Sequence, residues 1–168
     1  MSMFKIASLT ALALTAFATV AHAGPSVYYP ASMCQGVNQY GQVTSDVRFT
    51  QGAAPNYHGS TTHYLVCPVP FDPAQSGDVI VRVVGYDNSD SSDGRLRAIL
   101  CETFMNGTSS CSNPQLSGAS FIGFTTLEVS RLTAPDTRFL SMTYTIPDQD
   151  AQSGRSYAIG YRVCRGSC

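Results

Sequence analysis

Apolar residues recur at every second position through much of this chain, the repeat of a pleated strand with one buried face. The most legible stretch runs from Asp78 to Thr103. In its first arm Val79, Val81 and Val83 fall on one face, with Ile80, Arg82, Val84 and Tyr86 on the other. In its second arm Leu96, Ala98 and Leu100 alternate with Arg95, Arg97, Ile99 and Cys101. Between the arms Asp87 to Gly94 (DNSDSSDG) holds nothing that favours burial and ends on glycine. The stretch therefore predicts a β-hairpin.

Further strands are predicted at Val43–Thr50, Thr61–Val69, Ala119–Ser130, Thr137–Ile146 and Arg155–Cys164. Val43, Val47 and Phe49 share a side of the first of these. Leu140, Met142, Tyr144 and Ile146 share a face, and so do Tyr157, Ile159, Tyr161 and Val163. Pro68 and Pro70 cannot donate to a ladder, so the strand before them ends there or lies at an edge. Residues 24–41, 51–60, 71–77 and 104–118 are rich in turn formers and read as irregular segments. No 3.6-residue period persists for three turns, and no internal repeat is visible. The expected fold is all-β: an antiparallel β-sandwich of jelly-roll type stapled by disulfides, with a small barrel as the alternative.

Residues 1–23 carry a single lysine, Lys5, then an apolar run from Ile6 to Val20, then Ala21-His22-Ala23 with small residues where a signal peptidase reads. The run is short for a membrane anchor. A secretory signal peptide is expected over 1–23, with a single domain over 24–168 that is secreted, periplasmic or on the cell surface and has no membrane span after processing. All six cysteines (Cys34, Cys67, Cys101, Cys111, Cys164 and Cys168) fall in that domain, where an exported chain favours disulfides. The paired CxxC spacing of a zinc site is absent. Six cysteines allow many pairings. Neighbours in sequence are the preferred ones: Cys34 with Cys67, Cys101 with Cys111, and Cys164 with Cys168.

Several motifs together resemble a group of small secreted bacterial β-sandwich proteins of unassigned function. They are Cys67-Pro68-Val69 at a strand end, VIVRVVGYDNS from Val79, AILCE from Ala98, YTIP from Tyr144 and YAIGYRV from Tyr157. The resemblance implies a fold and brings no functional residues with it. Members often carry a cysteine just before the Ile-Pro step; here that segment reads MTYT, and Cys111, Cys164 and Cys168 look like additions.

Charge narrows the function classes. The chain is formally −1, only 12% of residues are charged, and every cation after Lys5 is arginine. Nucleic-acid binding has no electrostatic footing. No nucleophile elbow, metalloprotease helix, phosphate loop or dinucleotide fingerprint is present. His58 and His63 fall on opposite faces if their segment is extended. Glu102 and Glu128 are the only glutamates available as an acid and base pair. These features argue against an enzyme. Asp87, Asp90 and Asp93, with Asn88, Ser89 and Ser91, offer hard oxygen ligands for calcium; the plainer reading is a polar turn. Nine tyrosines and no tryptophan include Tyr28, Tyr29, Tyr40, Tyr57 and Tyr64 in or near loops, a composition that suits contact surfaces. The leading expectation is an exported, non-enzymatic β-sandwich acting by contact, as a surface or matrix component or by self-association. The alternative is a module that binds carbohydrate or a small ligand.

Overall fold

The computed structural model describes residues 26–55, 62–72, 77–88, 94–119, 122–134, 136–147 and 155–166. The signal-peptide segment lies outside them, as do His58, Asp90, Asp93 and Cys168. In chain order the strands are β1 (Val27–Pro30), β2 (Gln35–Val37), β3 (Ala54–Pro55), β4 (His63–Val69), β5 (Gly77–Asn88), β6 (Arg97–Phe104), β7 (Ser109–Cys111), β8 (Gln115–Leu116), β9 (Ile122–Thr133), β10 (Thr137–Ile146) and β11 (Tyr157–Arg165). A 3-10 turn, Ala31–Met33, follows β1. No helix among the described residues is long and apolar enough to cross a membrane.

Two antiparallel sheets face each other. The first runs β1-β11-β5-β9, with β3 also on β11; the second runs β2-β4-β10-β6-β7, with β8 also on β6. From β4 to β6, and again from β8 to β11, the chain alternates between sheets, which is the winding of a jelly roll. Most long strands turn their apolar parity inward; β9 buries Leu127 and Val129 but leaves Ile122 and Phe124 of the opposite parity exposed. Val79, Val81 and Val83 of β5 meet Leu100, Met142, Tyr144 and Leu65 of the second sheet in one continuous core. Pro68 fits the edge requirement, because β2 begins with Gln35 opposite Val66 and, among the described residues, no strand pairs with β4 beyond that point on that side.

The hairpin expectation for Asp78–Thr103 fails. β5 lies in the first sheet between β11 and β9, while β6 lies in the second beside β10, so the two arms face one another across the core. Their alternation correctly identifies the inward side chains, but period two does not say which strand is the neighbour. Val43–Thr50 is not a strand either. Only Val43 and Thr50 make isolated bridges, and the hydroxyl of Thr44 accepts from the Asp46 amide in place of a ladder bond. Conversely β1, β2, β7 and β8 are short strands in segments that read as irregular.

Disulfides join Cys34 to Cys67 and Cys101 to Cys111, the neighbour pairs expected. The first lies within the core, and the second joins directly opposed residues of β6 and β7. Cys164 is also disulfide-bonded; the expected Cys164–Cys168 pair involves a residue outside those described.

Tyr161 ties the two sheets together, its hydroxyl donating to the Pro68 carbonyl at 2.6 Å while its ring stacks on Tyr29. Burial, and secondarily the neighbouring Tyr29, push its pKa up to about 12 from an ordinary 10.0. Burial and the charge of Asp87 raise Tyr144 as well. A phenol with a raised folded pKa favours the fold fully below its unfolded value and loses that contribution as pH climbs towards the folded one. Thermal stability is therefore expected to fall between pH 10 and about 12. Tyr161→Phe is expected to cost about 1 kcal/mol at neutral pH and to flatten part of that alkaline decline. Melting curves across this window check it, and equal alkaline slopes in the two proteins would refute the assignment.

Candidate functional site

The solvent face of the first sheet carries the most distinctive surface. Outward positions on four adjacent strands align Pro55 (β3), Tyr157 (β11), Tyr86 (β5) and Phe124 (β9) in one row across the sheet. Tyr86 stacks on Tyr157 with centroids 5.2 Å apart and an interplanar angle of 10°. Phe124 meets Tyr86 edge-on at 5.0 Å. Three strand spacings make the row about 14 Å long. Phe124 is 66% exposed and Ile122, two residues before it on the same face, is 52% exposed. Exposed aromatic area of this kind on a strand's outward parity is not required by packing.

A β-bulge in β11 builds the row. Ala158 pairs with Gly85 and Gly160 with Val84, leaving Ile159 as the extra residue. Strict alternation puts Tyr157 and Tyr161 on one face. The bulge instead sends Tyr161 into the core and Tyr157 out beside Tyr86.

A polar row runs parallel to the aromatic one: Tyr28 (β1), Arg162 (β11), Arg82 (β5) and Glu128 (β9). Arg82 Nε contacts Glu128 Oε2 at 2.6 Å, an exposed pair, and Arg162 donates to the hydroxyl of Ser26. Val84 and Thr126 lie between the two rows. Tyr28 lies over Gly160, where an added Cβ would come within 2.6 Å of its hydroxyl and 2.8 Å of its Cζ; a side chain there would lift the ring. Partial burial raises the Tyr28 pKa, so it remains a neutral phenol that donates and accepts. The face thus combines flat apolar rings with hydroxyls and a guanidinium.

Those residues singled out from sequence that the structure describes are dispersed. Asp87 faces inward and is 1% exposed; its carboxylate accepts from the Ser117 hydroxyl and from the Leu96 amide at 3.4 Å. Asp90 and Asp93, the other members of the calcium set, lie outside the described residues. Among those residues no three of His, Cys, Asp and Glu come together to hold a metal. Glu102 is buried on the inner face of β6, bound to Arg131 at 2.6 Å and to the Thr137 hydroxyl at 3.0 Å, whereas Glu128 is on the outer face of the opposite sheet. The two carboxylates share no cleft. His63 is buried at the start of β4. Of the tyrosines, Tyr28 joins the polar row, Tyr29 packs on Tyr161, Tyr40 is exposed, Tyr64 sits on the outer face of the second sheet and Tyr57 lies outside the described residues. Tyr86, Tyr157 and Phe124 were missed. Aromatic residues at the outward parity of otherwise polar-faced strands were the available signal for Tyr86 and Phe124, while Tyr157 was hidden by the bulge.

No protein-family model and no curated protein matches the sequence. Among solved structures, the xylan-binding module CBM15 is similar over 86% of this chain and 98% of its own, with a TM-score of 0.48 and 7% identity. The Agl-KA catalytic domain is similar over 86% of this chain and 28% of its own, with a TM-score of 0.35 and 14% identity. Identities this low carry no residue from either protein to this one.

Proposed function

We propose that this protein is an exported, non-catalytic β-sandwich that binds extended polysaccharide through the outer face of its first sheet. The observation that carries the reading is the Pro55–Tyr157–Tyr86–Phe124 row, whose rings are already stacked by their strands. Such pre-ordered rings lose little conformational freedom on binding. The length of the row suits several consecutive sugar rings, and the neighbouring Tyr28, Arg162 and Thr126 can hydrogen-bond their hydroxyls. Contact with a matrix glycan is also a specific form of the surface role expected from sequence.

Affinity electrophoresis against a panel of soluble polysaccharides tests this. The wild type is expected to be retarded by at least one of them. Phe124→Ala should weaken that binding about tenfold, the loss expected for an aromatic anchor, while changing stability little because the ring is largely exposed. No retardation by any polysaccharide, or equal retardation of the variant, would sink the proposal. A concentration-dependent dimer that Phe124→Ala dissolves would favour self-association through the same apolar strip.

A further inference from the structure

The second sheet has an outward row of its own: Tyr64 (β4), Thr145 (β10), Arg97 (β6) and Leu116 (β8) are cross-strand neighbours in turn. This row forms the floor of a cleft of about 420 Å³ that Thr62 and Arg95 also line. The volume is in the range of small-ligand sites. None of the described residues lining it is acidic, although two are arginines.

Arg82 is held by Glu128, and Arg131 by Glu102. The Arg97 side chain is exposed, and its guanidinium makes no hydrogen bond or ion pair with a described residue. A guanidinium is a planar fork of donors matched to a carboxylate, and here it projects beside hydroxyl groups and an aromatic ring. Tyr64 and Arg97 are two strands apart, about 10 Å between backbones, with the Thr145 hydroxyl between them. That spacing leaves room for one sugar ring against the tyrosine with its carboxylate towards Arg97. A phosphate site would instead be expected to gather backbone amides or several cations.

We infer that this cleft is a second binding site, specific for a carboxylate-bearing sugar, a uronate residue at the end of or within an acidic glycan. Arg97 pairs with the carboxylate, Thr145 and Thr62 bind ring hydroxyls, and Tyr64 supplies the apolar wall. The site lies on the opposite sheet from the aromatic row and stands whether or not that row binds polysaccharide.

Titration of the isotopically labelled full chain by NMR tests it, with oligogalacturonate, a neutral galactose oligomer of the same length and inorganic phosphate as separate probes. The expected result is that oligogalacturonate shifts the amides of Tyr64, Arg97 and Thr145, more weakly as salt is raised, while the neutral oligomer leaves them unmoved. Arg97→Gln should weaken uronate binding about tenfold or more, while Arg138→Gln, which removes an exposed guanidinium that does not line the cleft, should leave it unchanged. Three results would each overturn the inference: no shift with the uronate, equal shifts with phosphate, which would mark an unselective anion site, or unaltered affinity in Arg97→Gln.

Discussion

Glu102→Ala is expected to lower the unfolding free energy by about 3 kcal/mol, the penalty for breaking a buried ion pair from one side. Glu102 is nearly inaccessible, with 4% of its side chain exposed, and it serves two groups at once, Arg131 Nη2 at 2.6 Å and the Thr137 hydroxyl at 3.0 Å. Its loss leaves a largely enclosed guanidinium without a carboxylate and a hydroxyl without its acceptor. The cost lies at the low end of the range because Arg131 keeps 18% exposure and can extend its head towards water. Urea denaturation under oxidising conditions measures the effect. Glu102→Gln, which keeps an acceptor for Thr137, should cost less. Replacing the pair together, Glu102→Leu with Arg131→Met, should recover most of the loss, because no orphaned charge remains. A penalty for Glu102→Ala below about 1 kcal/mol, the value of an exposed pair, would show that the two sheets are not joined in this way.

The second large effect concerns Gly85, which lies directly beneath the aromatic row. A Cβ built there collides with the Tyr144 hydroxyl and approaches Leu96 Cδ1 and the Tyr157 carbonyl to 3.0 Å. Gly85→Ala is expected to cost about 2 to 3 kcal/mol by overpacking. Outward movement of β5 would relieve the clash at Tyr144, and by displacing Tyr86 it should also weaken the polysaccharide binding proposed for the aromatic row. Tyr144 is fully buried, and its hydroxyl has no hydrogen-bond partner among the described residues. Tyr144→Phe should therefore be neutral or stabilising by up to about 1 kcal/mol, since the hydroxyl's desolvation is not repaid. In the Tyr144→Phe background the Gly85→Ala penalty should shrink by at least about 1 kcal/mol. A double-mutant cycle reads this coupling directly, and purely additive penalties would mean that the hydroxyl is not what Gly85 accommodates.

Both effects arise from contacts between the two sheets, and these were the least legible part of the sequence. The alternation in β5, β6 and β10 correctly marks Val79, Val81, Val83, Leu100, Met142 and Tyr144 as inward. It is silent about Glu102, a charged residue that occupies the inward position two after Leu100 because Arg131 of β9 meets it there. Asp87 shows the same thing from the other side. In sequence it opens a polar run and looks like a solvent-exposed ligand, but the inward parity of β5 continues through it, and the Ser117 hydroxyl and the Leu96 amide compensate its burial. The aromatic row was partly legible. Tyr86 was correctly assigned to the face opposite the valines, yet nothing local places it between Tyr157 and Phe124.

Taken by itself, the sequence determined the strand-rich fold class, the inward face of most long strands and the use of cysteines in disulfides. Each of these follows from interactions within a few residues or from the chemistry of a compartment. Only the tertiary structure decided that β5 and β6 belong to opposite sheets, that a bulge turns Tyr157 outward, and that the Arg97 guanidinium has no acid partner among the described residues. Pairing partners and bulges depend on how distant strands fit together over a shared core, and a period of two is the same whichever neighbour a strand acquires.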